Sequence, residues 1–159
     1  MDHRDGEGFE HWYRREHPRL LLAIAAATGS VEIAADAVDE ALSRALACWD
    51  QIDVPAAWVY RVALNVAQRR ARRAGVEQKL FRRVAISDSL PGPAGELWLL
   101  VAALPRRQRL AVVLRHVGQL TEPEIAEAMG IRRGTVSATL RFGLSVVAGR
   151  DRYREKGRK

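Results

Sequence analysis

Residues 121–144 read TEPEIAEAMGIRRGTVSATLRFGL, and this stretch decides the fold. Thr121 followed by Glu124 has the layout of a capping box. The hydroxyl accepts the amide of the third helical residue while the carboxylate reaches back to the cap. Pro123 falls in the first turn, where a missing N–H leaves no bond unmade. Ile125, Ala126 and Met129 then share one face at helical spacing. Gly130 stands where that helix must stop, because glycine takes a left-handed turn without a Cβ clash. A second helix is expected to start near Arg132–Thr135 and to bury Val136 and Leu140, four residues apart. Ala126 is small where the two helices must touch. Two helices joined by a short glycine turn can lay the second in a DNA major groove. An ordinary helical hairpin uses any one of these residues; the box, the small residue, the glycine and the valine at these offsets together favour the helix-turn-helix.

On the N-terminal side of this stretch, Arg106 to His116 reads as a helix with Leu110, Val113, Leu114 and Val117 apolar and Arg106, Arg107, Arg109 and Arg115 polar. Gly118 ends it, and Leu104–Pro105 separates it from a short amphipathic helix over Glu96–Ala103. Before that, the segment 75–95 begins basic (Lys79, Arg82, Arg83) and ends ISDSLPGPAG. Two prolines and two glycines in five residues mark a linker rather than a packed element. Beyond Gly149 the tail RDRYREKGRK, residues 150–159, is expected to be disordered, binding polyanions loosely or aiding solubility. These breaks give a helical unit over 8–74, a linker over 75–95, a helix-turn-helix unit over 96–149 and a basic tail.

In the N-terminal unit, Phe9, Trp12, Tyr13, His17, Leu20, Leu21 and Ile24 recur at three- and four-residue steps to about Thr28, with Pro18 expected to bend or interrupt the helix. Ser30 is placed to cap a second helix from Val31 to about Trp49. Its outer face holds Glu32, Asp36, Asp39 and Glu40. Acids near an N-terminus suit the helix dipole, so a solvated face explains them without any partner. Pro55 opens a third helix, PAAWVYRVALNVAQRRARR. Trp58, Val62, Leu64 and Val66 give it an apolar side, with Trp58 expected in the core and Tyr60 less so. Arg69, Arg70, Arg72 and Arg73 close it; that many cations exceed what a helix C-terminus uses and suit phosphates. Aromatic and basic side chains in alternation also suit unstacked bases.

The 159 residues carry a net charge of +7 and a pI of about 10.4, a balance that fits a polyanionic partner such as nucleic acid. Cys48 is the only cysteine, which excludes an intrachain disulfide and a cysteine-rich metal site and fits a reducing, cytoplasmic compartment. The start lacks an apolar signal core. The longest apolar run, LLLAIAAA at residues 20–27, is far too short to span a bilayer. The sequence holds no glycine-rich phosphate loop, no metal spacing of His and Cys, and neither HExxH nor GxSxG, so an enzyme is not expected and no cofactor is implied. Abundant Ala, Leu and Arg with few β-rich runs point to an all-α chain.

Taken in order, these blocks resemble a bacterial RNA polymerase sigma factor of the extracytoplasmic-function (ECF) group, which has two conserved domains, regions two and four, on a flexible linker. The match runs from about Phe9 to Ala148. It rests on DAVDEAL from Asp36, PAAWVYRVALN from Pro55, RRARR from Arg69, LPRRQR from Leu104, EIAE from Glu124, Gly130-Ile131 and Gly134-Thr135-Val136. The resemblance implies that region two lays its second helix on the clamp coiled coil of core RNA polymerase, through Asp36, Asp39 and Glu40. It further implies that region two melts the minus-ten element and captures a base of the non-template strand. Tyr60, Arg61, Asn65, Arg69, Arg70, Arg72, Arg73 and the Asp50–Val54 loop are the residues implied. Region four would read the minus-thirty-five element through Arg132, Arg133, Thr135, Ser137 and Arg141. An anti-sigma factor is a further partner the resemblance implies; a membrane is not.

The chain departs from the family pattern in three places. Asp39 stands where a Gln is usual, the loop before Pro55 is short, and Ser137, Thr139 and Phe142 stand where basic residues are common. Fewer cations on the recognition helix predict weaker minus-thirty-five binding. Two rival readings are a helix-turn-helix regulator that never joins polymerase and a sigma-like interaction module without initiation activity. The first leaves the acidic second helix and the Trp58–Arg73 block without a role.

Overall fold

The computed structural model describes residues 8–75 and 99–156, with side chains as far as residue 149. All regular structure among these residues is helical. The elements are α1 (Phe9–Thr28), α2 (Val31–Ala47), a 3-10 turn (Trp49–Gln51), α3 (Pro55–Arg73), α4 (Arg106–His116), α5 (Glu122–Met129) and α6 (Arg133–Lys156). Residues 99–102 are helical as well. The expected linker lies, past Gly75, outside the described residues, as does the start of the helix expected at Glu96. No described helix is long and apolar enough to cross a membrane.

Local chemistry sets the helix ends. Gly29 closes α1 in the left-handed region, φ 76°, and Ser30 caps α2 by accepting from the Ile33 amide. Pro55 opens α3 in its first turn. α1 runs through Pro18 as one helix, so the proline does not interrupt it. The second helix stops at Ala47 rather than Trp49, because Cys48 leads into the 3-10 turn. That turn carries Trp49 back onto α1, with ring centroids 5.2 Å from Phe9 and 5.3 Å from Trp12. At the other end, α6 continues to Lys156, where a disordered tail is expected from residue 150. Residues 150–156 hold neither Gly nor Pro and are rich in good helix formers, so nothing local ends the helix at Gly149.

α2 packs against both α1 and α3, and α6 against α4 and α5. The two units also touch, α3 on α5 and α1 on α4. Their buried residues form one connected apolar cluster, from Trp12, Leu20 and Ile24 through Val38, Val59 and Leu64 to Leu114, Leu120, Ile125 and Val136. Alanines at 34, 37, 41, 45, 57, 63 and 67 are almost wholly buried and let the first three helices approach closely. Arg109, expected on a polar face, is buried and donates to the Ala102 carbonyl at 3.3 Å. It ties α4 to the turn before it, and burial, with the charge of Arg106, lowers its pKa.

Candidate nucleic-acid interface

The helix-turn-helix forms as the local signals require. Thr121 Oγ1 accepts from the Glu124 amide, and the Thr121 amide donates to Glu124 Oε2 at 2.7 Å, a complete capping box. Gly130 turns the chain at φ 64°, and the Ile131 amide returns to the Ala126 carbonyl at 3.0 Å. Ile125 and Val136 are fully buried, and Ala126 and Leu140 nearly so, which fixes α6 on α5. Arg132, just before α6, and Arg133, Thr135 and Arg141 within its first three turns are exposed. Ser137 is half-buried and donates to Glu122 Oε2 at 2.6 Å. Of the five residues expected to meet duplex DNA, four therefore face outward and Ser137 is engaged by the preceding helix.

α3 sorts its side chains by helical phase. Trp58, Arg61, Asn65, Arg69 and Arg72 follow one another at steps of three and four, a single stripe on the helix. Asn65, Arg69 and Arg72 are exposed, and Trp58 and Arg61 half-buried. Arg70 and Arg73 fall on the side turned to α2. There Arg70 pairs with Asp36 at 3.3 Å and with Glu40 at 3.1 Å. Glu40 also pairs with Arg44 one turn along. The hydrogen bond from Arg70, opposed by desolvation and aided by the charge of Arg44, holds the Glu40 carboxyl below its ordinary value. An open surface groove of about 740 Å³ runs along the junction of the two helices, walled by Asp36 and Glu40 on one side and Arg69, Arg70 and Arg73 on the other. Residues expected to serve two different partners thus neutralise each other in part. Asp39 is exposed on the same helix as Asp36.

Tyr60 is a correction. It is fully buried, so its ring cannot stack on a base from this position. α3 is covered by α1, α2 and α5, and this wide apolar arc includes Tyr60 along with Val59, Ala63 and Leu64. Its hydroxyl sits beside Gly118 at the contact between the units and has no hydrogen-bond partner among the described residues. Burial, and secondarily the charge of Glu16, push the phenol to higher pKa. Because an unpartnered buried hydroxyl costs about 1–3 kcal/mol, Tyr60→Phe should raise stability by roughly 1 kcal/mol, or a Tm gain of about 2–4 °C. A raised phenol pKa favours the folded state below an ordinary phenol value of about 10 and loses that advantage as pH climbs above it. The Phe variant should therefore lose less stability than the parent in alkaline melts. A lower Tm for Tyr60→Phe would mean that the hydroxyl has a partner.

Sequence reasoning missed the structural roles of four positions. Glu16 is buried and accepts from Arg15 Nε at 2.9 Å. Gly118 admits no side chain. Gln119 adopts φ 56°, and Arg115 donates to the Leu120 carbonyl at 3.0 Å, which pins the turn leading into α5. Gly118 alone left a trace, as a helix-ending glycine.

Residues 94–145 match the family model described as Sigma-70, region 4. An RNA polymerase sigma-E factor of Streptomyces avermitilis is 30% identical over 153 residues, covering 91% of this chain and 86% of that one. The sigma-E factor of Streptomyces coelicolor is 29% identical over 145 residues, 86% of this chain and 82% of that protein. The ECF RNA polymerase sigma factor SigW of Bacillus subtilis is 27% identical over 137 residues, 72% and 73% of the two chains. Among solved structures, CnrH in complex with the cytosolic domain of CnrY is similar at a TM-score of 0.62 and 18% identity, over 89% of this chain and 85% of that one.

Proposed function

The chain belongs to the ECF group of RNA polymerase sigma factors and is a transcription initiation factor, and from that premise we propose how its surfaces divide the work. α6 enters the major groove of the minus-thirty-five element, with Arg132, Arg133 and Arg141 on phosphates or base edges and Thr135 beside them. The Arg61–Asn65–Arg69–Arg72 stripe of α3 follows the non-template strand at the minus-ten element, where phosphate contacts and stacking offset a few kcal/mol of unstacking. Asp36, Asp39 and Glu40 on α2 meet core RNA polymerase. Arg70 belongs with α2 in this scheme: it holds Asp36 and Glu40 in place and is released from them when polymerase supplies its own cations. Regions two and four correspond to residues 8–74 and 96–149. The work is cytoplasmic, and the chain acts by binding rather than by catalysis. An anti-sigma partner is part of the proposal, supported by CnrH having been solved with the cytosolic domain of CnrY.

The observation that carries this reading is the outward start of α6, with Arg132, Arg133 and Arg141 exposed, in a chain whose relatives are sigma factors over most of its length. Run-off transcription with core RNA polymerase on a promoter library tests it. Arg141→Ala should weaken duplex binding and flatten its salt dependence while leaving polymerase association intact. Asp36→Ala should spare duplex binding and weaken polymerase association several-fold. The exposed ion pair that Asp36→Ala also removes is worth at most about 1 kcal/mol, so the folded state should persist. If both variants transcribe like the parent, the assigned surfaces are wrong.

A further inference from the structure

Three of the hydroxyl groups on α6 are already committed. Ser137 Oγ donates to Glu122 Oε2 at 2.6 Å, Thr139 Oγ1 to the Thr135 carbonyl at 2.6 Å, and Ser145 Oγ to the Phe142 carbonyl at 2.8 Å. Each has spent its one proton within the protein. Alongside its arginines the helix turns outward mainly apolar groups, a Thr135 methyl beside its hydroxyl, Ala138 and Phe142. Thr135, Ala138 and Phe142 are spaced by three and four residues and exposed, so they form one stripe along the helix. Phe142 is 64% exposed. A phenylalanine in that position contributes nothing to the core, and leaving it in water forgoes about 1.5–3 kcal/mol.

In the major groove the C5-methyl of thymine is the apolar group that base edges present. Resting on the reading that α6 lies in that groove, we propose that the Thr135–Ala138–Phe142 stripe selects its promoter element by thymine methyl groups. Arg132, Arg133 and Arg141 anchor the helix on either side. Phosphate contacts fix register and carry no sequence information, so wherever these arginines rest on phosphates, discrimination falls to the stripe. An element read this way has thymine at the steps under Ala138 and Phe142, on either strand.

The test uses the full chain, alone and bound to core RNA polymerase, with a randomised duplex library followed by anisotropy titrations on the enriched duplex. Each thymine is replaced singly by deoxyuridine, which pairs identically and lacks only the methyl. At one or two steps the replacement should weaken binding about three- to fourfold, the equivalent of one buried carbon. Phe142→Ala should weaken binding to the thymine duplex, equalise it with the deoxyuridine duplex, and leave the melting curve unchanged. An enriched duplex that needs Arg141 but ignores every deoxyuridine replacement overturns the methyl reading and leaves groove binding standing. A deoxyuridine effect that survives Phe142→Ala overturns the assignment to this stripe. Enrichment of no duplex, with or without polymerase, overturns the groove reading and this one with it.

Discussion

Gly118→Val is expected to lower the stability of the whole chain by about 3 kcal/mol, at the upper end of what overpacking usually costs, or roughly 10 °C in Tm. A Cβ at residue 118 meets the Leu114 carbonyl oxygen at 2.8 Å, Leu120 Cδ1 at 2.8 Å and the Tyr60 hydroxyl at 3.1 Å. The carbonyl belongs to the last turn of α4 and cannot yield without distorting it. Leu120 and Tyr60 are both fully buried, so neither has room to swing away. Valine adds two methyls to this crowding. Because Tyr60 lies on α3 and Gly118 on the connection into α5, the relief of lowest energy is for those elements to part. A melt that splits into two transitions, or small-angle scattering that reports a larger radius, would register the parting. Gly149→Ala is the control: nothing lies within 4 Å of its Cβ position, and alanine favours a helix interior by about 1 kcal/mol. A Gly118→Val chain that melts with the parent would show that residue 118 is not closely packed in solution.

Replacing Arg132, Arg133 and Arg141 together by alanine is expected to reduce duplex affinity by about two to three orders of magnitude at 0.1 M salt. Each phosphate neutralised by the protein contributes about 0.9 to the slope of log K against log salt, so three contacts account for a change of about 2.7. The three are exposed, and their removal should leave the fold intact. Single replacements should subtract from the slope one step at a time. Arg14→Ala, on α1 and exposed, should leave the slope unchanged. If the triple variant keeps the parent's slope, DNA is bound elsewhere on the chain.

The helix-turn-helix was legible because its signals are local. A capping box, a glycine at the turn and Val136 with Leu140 lie within about two dozen residues, and each follows from backbone chemistry alone. The third helix was harder to read. Its inward face is drawn largely by Ala57, Ala63 and Ala67, residues that weigh little in an apolar pattern yet set how closely helices pack. The face is also widened by α5, which approaches from the other half of the chain, so Tyr60 went under cover with no signal of its own. Arg70 and Arg109 were misjudged for a related reason. Their partners, Asp36 and Glu40 for one and the Ala102 carbonyl for the other, are set by tertiary packing, which no periodicity records. In the acidic helix, sequence supplied the residues but not that the chain itself already answers their charge.

The closed contact between α3 and α5 has a consequence of scale. Promoter elements some 25 base pairs apart, as minus thirty-five and minus ten are, lie about 85 Å from each other at 3.4 Å per step. A folded chain of this length has a radius of gyration of about 15 Å, so α3 and α6, the helices proposed to meet the two elements, span less than half that separation while the contact is closed. For one chain to hold both elements at once the Tyr60–Gly118 junction has to open, and the free energy of opening it is then subtracted from the affinity for such a promoter.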